Sequence, residues 1–192
     1  MLRLMPILWA FLMAACSPVF GQEKFEREYR IQENEVPDAA VSFVRSLDIP
    51  KKVKWYYEEN LVDNSVEAKF LYLDHKYSVE FGTTGKLQDI EIEVDFEMLP
   101  GSACEKISRQ FLEKYLKYKI RKVQIQYSGD IESLSAFAAT EDPLESYPIR
   151  YELVVKAKTE EKWGLYEITF DDRAKLVDVS RIILRNTDNL EF

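Results

Sequence analysis

Two hydrophobic patterns alternate along the chain. Stretches in which every second residue is apolar predict β-strands, and stretches in which apolar residues recur every three or four positions predict helices. In 89–98, DIEIEVDFEM, the apolar residues face one way and the carboxylates the other. We interpret this carboxylate row as the solvated face of a half-buried strand rather than as a cation site, because an amphipathic strand requires that alternation. The predicted strands cover about 25–31, 52–59, 65–73, 76–82, 86–97, 122–128, 149–158, 164–170 and 175–185.

A helical pattern precedes each group of four strands. Within 35–47 and within 98–116, apolar residues fall on one helical face. Ser102 and Glu105 form an S-x-x-E capping box, which predicts that the second helix begins there. The apolar faces comprise Ala40, Phe43, Val44 and Leu47 in the first helix, and Cys104, Ile107, Phe111 and Tyr115 in the second.

The segments 77–94 and 166–183 are similar to each other. Tyr77, Phe81, Lys86, Leu87 and Asp89 recur in the same order as Tyr166, Phe170, Lys175, Leu176 and Asp178. Self-similarity of this kind indicates an internal repeat. We therefore predict an α+β fold of two tandem repeats, each a helix followed by a four-stranded antiparallel sheet, with the helices packed on one sheet face.

The predicted organisation has three parts. Residues 1–21 are a signal peptide, because the apolar run 4–15 is too short to span a membrane and is followed by charged sequence from Glu23 onward. Residues 22–98 form repeat 1 with an additional N-terminal strand. Residues 99–192 form repeat 2 with a long loop at 129–148, where repeat 1 has only a short connection.

The N-terminal sequence contains two possible cleavage sites for removal of the signal peptide. Cleavage after Gly21 would release a free periplasmic or secreted protein, whereas cleavage before Cys16 would give an outer-membrane lipoprotein with that cysteine lipidated. We predict the free form, because the first strand follows Gln22 almost directly. No second apolar run approaches membrane-spanning length.

Charge excludes one class of partner. The chain carries a net charge of −8, and removal of residues 1–21 takes away Arg3 but no acidic residue, which leaves −9. Such a chain repels phosphate backbones, so we expect no binding to nucleic acid.

The sequence offers little for catalysis. His75 is the only histidine and lies in a predicted turn, and Cys104 is the only cysteine outside the signal region. Neither a zinc ligand set nor a glycine-rich phosphate loop is present. We therefore expect no enzyme activity, no metal and no cofactor, with His75 as a solvated side chain and Cys104 as a buried small hydrophobe.

Two binding hypotheses remain. In the first, an exported protein or peptide binds the open sheet face through Tyr56, Leu71 and Leu73, with Leu134 and Phe137 of the long loop at its rim. In the second, the protein carries or senses a small apolar ligand held between sheet and helix by aromatic residues, namely Trp55, Phe70 and Tyr77. For both sets of residues, packing within the protein is the alternative role.

The segments KYSVEFGTTGKLQDIEIEV and GLYEITFDDRAKLVDVSRI resemble the PepSY-like domains of exported bacterial proteins. Tandem copies are similar to the fold of the β-lactamase inhibitor protein, and the opening YRIQENEVPDAAVSFV resembles a set of exported Bacteroidetes proteins. The resemblance implies an inhibitory or protein-binding role. The inhibitors have a disulfide in each unit and this chain has no cysteine pair, so β-lactamase inhibition itself is not implied.

Overall fold

Strands dominate the fold. The computed structural model describes residues 22–24, 26–47, 49, 52–60, 63–129 and 149–183. The predicted signal peptide, Cys16, Leu134, Phe137 and the loop beyond residue 129 lie outside the described residues. The strands are β1 Gln22–Lys24, β2 Glu26–Ile31, β3 Lys54–Asn60, β4 Ser65–Tyr72, β5 His75–Gly82, β6 Leu87–Glu93, β7 Lys117–Ser128, β8 Ile149–Lys158, β9 Trp163–Asp171 and β10 Leu176–Ile182. The helices are α1 Asp38–Ser46 and α2 Gly101–Lys114, with 3₁₀ turns at Glu33–Glu35 and Phe96–Met98.

These ten strands belong to one sheet in the order β1-β10-β9-β8-β7-β6-β5-β4-β3-β2. Neighbouring strands are antiparallel, except that β1 and β10 are parallel. In the middle of the sheet, β6 pairs with β7 from Asp89 opposite Ser128 to Glu93 opposite Gln124.

The predicted α+β fold of two tandem repeats is therefore wrong. The protein is mostly β, with a single continuous sheet and two short helices. The edge of β6 that would have ended the first unit hydrogen-bonds to β7, and the apolar row continues across the junction through Ile90 opposite Tyr127 and Ile92 opposite Ile125. The similar segments correspond to the hairpins β5–β6 and β9–β10 within this one sheet.

The N-terminal strand joins the two ends of the sheet. β1 pairs with β10 and β2 pairs with β3 at the opposite end of the strand order, yet only residue 25 separates β1 from β2. Because consecutive Cα atoms are about 3.8 Å apart, the two ends must lie close together in space. The sheet therefore curls round until its edges meet at this strand.

Both helices pack on the same face of the curled sheet. α1 buries Ala40, Val41 and Val44 in a cluster with Trp55, Val79 and Phe81, and α2 buries Ala103, Ile107 and Phe111 in a cluster with Leu153, Ile168 and Phe170. The Phe111 ring lies 5.9 Å from the Phe170 ring and 5.1 Å from the Tyr118 ring, centroid to centroid. Burial of each valine, leucine, isoleucine or phenylalanine side chain in these clusters contributes about 1.5–3 kcal/mol.

The helix-bearing face is the outer one. With β1 and β2 taken as one strand, nine strands about 4.8 Å apart and tilted by about 40° give a perimeter of about 56 Å and a width of about 18 Å from backbone to backbone. Two helices about 10 Å wide do not fit inside that width. The opposite face, which we call the polar face, is therefore concave, and its residues alternate with those of the apolar clusters.

The start of α2 and the burial of Cys104 differ from the sequence-based expectations, and a glycine in the β5–β6 turn contacts α1. α2 begins at Gly101, with Pro100 at its N-cap and no side-chain cap, so the capping box predicted at Ser102 does not form. Cys104 is half-buried, and its thiol donates to the Phe96 carbonyl at 3.1 Å. Gly85, with φ of 83°, turns the β5–β6 hairpin against the start of α1, where an added Cβ would lie 3.0 Å from the Ala39 Cβ.

Candidate functional site

Acidic side chains stand directly opposite one another on the polar face. Glu67 on β4 is opposite Glu80 on β5, and Glu80 is opposite Asp89 on β6. Like charges in directly opposed positions destabilise a sheet. The ion pair of Glu67 with Lys69 and the raised pKa of Asp89 both reduce this repulsion.

Next to this row lies a buried hydrogen-bonded group on β6 and β7. Gln124 donates from Nε2 to Glu91 Oε2 at 2.6 Å, and Gln126 donates from Nε2 to Glu91 Oε1 at 3.3 Å and to Asp89 Oδ2 at 3.4 Å. Asp89 is 9% exposed and Gln124 is 4% exposed. Asp89 Oδ1 and Gln124 Oε1 are buried, and neither has a hydrogen-bond partner in the described part of the chain.

These carboxyls hold protons more tightly than usual. Burial raises the pKa of Asp89 to about 8, and the carboxylates of Glu80 and Glu152 add to the effect. Burial and the charge of Asp89 raise the pKa of Glu91 to about 8, with the ammonium of Lys122 acting in the opposite direction. At neutral pH, both side chains are therefore largely uncharged in the free protein.

Two lysines on the polar face form ion pairs with glutamates other than Glu91. Lys69 Nζ lies 2.9 Å from Glu28 Oε2 and 2.9 Å from Glu67 Oε2, and 4.9 Å from the centre of the Tyr56 ring. Burial lowers the pKa of Lys69, but the charges of Glu67 and Glu28 outweigh it and raise the pKa overall. Lys76 pairs with Glu93 at 2.9 Å. Asp89 and Glu91 have no such ion pair with a described lysine or arginine.

The structure separates the residues predicted for the open sheet face. Tyr56 and Leu71 are half-buried, and their strand positions place them on the polar face. Leu73 lies instead in the β4–β5 turn with φ of 45°, is 58% exposed, and lines a groove on the helix side. Leu134 and Phe137 fall outside the described residues.

Sequence reasoning missed the buried hydrogen-bonded group on β6 and β7. The carboxylate row of Glu91, Glu93, Asp95 and Glu97 is predicted to be solvated, yet Glu91 is half-buried and Asp89, on the same strand, is buried. The available signal was the pattern VQIQY on the facing strand, which places Gln126 opposite Glu91 and Gln124 opposite Glu93. Glutamines that alternate with apolar residues can satisfy carboxylates inside a protein as well as face water.

A second candidate site is an apolar groove on the helix side of strands β4 to β7, between the end of α1 and the turn before α2. Its volume is about 370 Å³. The rings of Phe70 and Tyr77 stack in its wall at 5.6 Å with 5° between their planes, and half-buried His75 also lines it. Trp55 lines a separate cavity of about 190 Å³. The groove residues are Leu47, Ile49, Phe70, Tyr72, Leu73, His75, Tyr77, Val79, Ile90, Ile92, Val94, Met98, Ile125 and Tyr127.

The described residues contain neither a metal-binding cluster nor a membrane-spanning helix. Among the described side chains, no group of three or more histidine, cysteine, aspartate or glutamate residues has the geometry to hold a metal ion. Neither α1 nor α2, the two α-helices in the described ranges, is long and apolar enough to cross a membrane.

Comparison with known proteins gives relatives of the fold. No protein-family model and no curated protein matches the chain. A DUF2874 family protein from Bacteroides ovatus has a similar structure, with a TM-score of 0.52 and 10% sequence identity over 76% of this chain and 87% of that one. A BLIP-like protein from Bacteroides fragilis gives a TM-score of 0.47 and 14% identity over 81% of this chain and 92% of that one.

At such low identity, the likeness to the DUF2874 family protein concerns the fold alone, and the weaker likeness supports no conclusion. Both neighbours are Bacteroides proteins, and the one from Bacteroides ovatus agrees with the Bacteroidetes part of the predicted resemblance. They do not confirm the PepSY-like part.

Proposed function

We propose that this protein is an exported, non-catalytic binding module that holds a protein or peptide on its polar face. The supporting observation is the contrast between the two faces of the sheet. The outer face buries its apolar side chains under both helices, whereas the concave polar face carries acidic side chains together with the half-buried Tyr56 and Leu71. Tyrosine and leucine side chains set among charged ones are typical of a surface that a protein or peptide binds.

Export rests on the N-terminal sequence. A charged residue, a short apolar run and small residues before Gln22 form a signal peptide, and the first strand begins at Gln22 itself. Cell fractionation with N-terminal sequencing should find a periplasmic or secreted protein that starts at Gln22. Incorporation of labelled fatty acid that is lost in Cys16→Ala would show instead that the protein is a lipoprotein.

The non-catalytic role is supported by the separation of the reactive groups. His75 lines the apolar groove on the helix side, whereas Asp89 and Glu91 lie on the opposite face of the sheet. A proton-transfer pair needs its members within hydrogen-bond reach of a shared substrate. The histidine and these carboxyls do not meet that condition.

Affinity capture with matched variants tests the binding role. The protein is immobilised, exposed to an envelope extract, and compared with Tyr56→Ala/Leu71→Ala, which truncates two side chains of the polar face. The control is Leu112→Ala/Leu116→Ala, because these leucines are 71% and 63% exposed on or just after α2. The partner should be lost in the first variant and kept in the control, with circular dichroism confirming that both are folded. Equal recovery of the same partners by all three proteins would exclude the polar face.

A second candidate function is favoured by the apolar groove. Its volume of about 370 Å³ lies within the range of about 300–1,000 Å³ that is typical of small-ligand sites, and stacked aromatic rings form its wall. In this role, the protein would carry or sense a small apolar molecule between sheet and helix. Native mass spectrometry of protein purified from its own cells should show a bound mass, and that mass should be lost in Leu73→Lys. The apo mass alone would count against a carrier.

A further inference from the structure

Four lysine side chains form a compact patch where β7 and β8 extend beyond the end of β6. Lys117 lies opposite Lys158, and Lys119 lies opposite Lys156. Because Ala157, between Lys156 and Lys158, is buried in the apolar cluster under α2, strand alternation places these lysines on the polar face. We call the four side chains the lysine patch.

The lysine patch is accessible, and its charge is not neutralised by carboxylates of the described chain. Lys117, Lys119 and Lys156 are exposed, and Lys158 is half-buried. Among the described residues, none of the four has a side-chain ion pair or hydrogen bond, and the glutamates at 160–161 in the exposed β8–β9 turn do not pair with them. A protein whose net charge is −8 therefore presents a local positive surface here.

Apolar side chains on β9 border the patch. Trp163 is opposite Lys158 and 47% exposed, and Lys156 Nζ lies 5.6 Å from the centre of a ring of its indole. Leu165, the next residue of β9 on the same face, is opposite Lys156 and half-buried. Aromatic side chains are enriched where proteins bind one another, so the patch combines charge with a surface that a polypeptide can contact.

One side of the lysine patch is a strand edge. β6 pairs with β7 only along 124–128, whereas β8 pairs with β7 as far as Lys117. On the side of β7 away from β8, no described strand pairs with 117–122. An extended segment can add to such an edge through backbone hydrogen bonds. Lysines on an edge also prevent unwanted pairing, but that role does not explain Lys156 and Lys158, because β8 has a strand on each side.

Resting on the binding role proposed for the polar face, we propose that its occupant is an extended acidic segment of the protein or peptide partner, aligned with β7 along this edge. Alternate residues of an extended segment lie about 6.8 Å apart on one face, which is also the spacing of Lys117 and Lys119 along β7. Carboxylates at alternate positions therefore meet successive lysines, and opposite charges in such positions attract. A flat anionic bilayer fits less well, because the polar face is concave.

A series of capped peptides tests the occupant by isothermal titration calorimetry. The first peptide alternates glutamate with threonine, the second has glutamine in place of each glutamate, and the third has the composition of the first with its glutamates consecutive. At about 0.02 M salt, the alternating glutamate peptide should bind about tenfold more tightly than either of the others. Its affinity should fall about tenfold at about 0.3 M salt, because exposed charges are screened.

Tryptophan fluorescence and matched variants locate the binding. Once residues 1–21 are removed, Trp55 and Trp163 are the two tryptophans, and Trp55 is only 4% exposed, so a change in emission on binding reports Trp163. Two variants each remove two positive charges from exposed positions and are compared by calorimetry, with circular dichroism as the check on folding. Lys119→Gln/Lys156→Gln should weaken the alternating glutamate peptide about fivefold. The control, Lys86→Gln/Lys175→Gln in the β5–β6 and β9–β10 turns, should bind as the wild type does.

Four results would overturn the acidic segment. They are no binding of the alternating glutamate peptide, equal binding of the glutamine peptide, equal binding of the peptide with consecutive glutamates, and equal weakening in the two lysine variants. Vesicles of phosphatidylcholine with and without phosphatidylglycerol serve as a further probe. Binding to the phosphatidylglycerol vesicles in place of the peptide would overturn the proposal in favour of a membrane surface.

The envelope capture separates this inference from the proposed function. If one of the contrary results accompanies loss of the captured partner from Tyr56→Ala/Leu71→Ala, the polar face still binds a partner and only the chemistry of that partner is different. If capture is unchanged in that variant, the proposed function itself fails.

Discussion

Replacing Asp89 with asparagine should make the protein less sensitive to alkaline pH and more stable at pH 8. The pKa of Asp89 rises from an ordinary 3.8 to about 8 in the folded protein, so between these values the native state holds a proton that the unfolded state has lost. Stability then falls as pH rises, because the unfolded state binds fewer protons than the native state. One pH unit corresponds to about 1.36 kcal/mol, so the fall from pH 5 to pH 8 is about 4 kcal/mol.

That fall is a large fraction of the 5–15 kcal/mol by which a domain is typically stable. Asparagine keeps the shape of the protonated carboxyl and does not titrate. The variant should therefore match the wild type within about 1 kcal/mol at pH 5 and exceed it by a few kcal/mol at pH 8. Glu91 also titrates near pH 8, so part of the pH dependence should remain in the variant.

Urea unfolding followed by circular dichroism at pH 5, 6.5 and 8 measures these differences. Glu160→Gln, at an exposed turn position, is the control and should stay within about 0.5 kcal/mol of the wild type at each pH. The reasoning would be refuted by a wild-type protein that is as stable at pH 8 as at pH 5. It would also be refuted by an Asp89→Asn variant whose stability falls as steeply as that of the wild type.

Further predictions concern packing and reactivity. Gly85→Ala should lower the free energy of unfolding in urea by about 1–3 kcal/mol, because alanine is strained at φ of 83° and its Cβ would lie 3.0 Å from the start of α1. Gly101→Ala is the control and should be neutral or slightly stabilising, because no atom lies within 4 Å of the added Cβ. Phe111→Ala should cost about 3–5 kcal/mol in the same assay, since its ring is fully buried, and a loss below 1 kcal/mol would contradict the described core. The Cys104 thiol should react slowly with a disulfide reagent in the folded protein at pH 8, because burial raises its pKa and the Phe96 carbonyl accepts its hydrogen bond. The same thiol should react quickly in denaturant. Equal rates in the folded and the denatured protein would contradict the described setting of Cys104.

The sequence predicted the strands well because their alternation is local. The positions predicted for β3 to β9 agree with the structure to within a few residues, and the inward sets that include Trp55, Val79 and Phe81 are buried. The join between β6 and β7 could not be predicted in this way. Whether two strands pair depends on backbone hydrogen bonds between distant segments, and the internal similarity suggested two separate units instead.

Sequence reasoning predicted some residues of the candidate sites and missed others. Tyr56 was correctly placed on the face opposite the helices, and Phe70 and Tyr77 do line an apolar space between sheet and helix. Asp89 was missed because alternation gives the face of a residue but not the curvature of the sheet. A carboxylate on a flat sheet is solvated, whereas one on a concave face is surrounded by its neighbours.

The N-terminal strand also has a consequence for the order of folding. Gln22 pairs with Ser180, and nearly the whole described chain lies between them. A chain emerges from the ribosome amino terminus first, so its earliest strand segment has to wait for the last one before they can pair. Contacts of such long sequence separation form slowly, because the loop between them must close first. Until synthesis reaches β10, the nascent protein has an unpaired edge and an unclosed sheet, and this interval is when binding by a chaperone would be most useful to it.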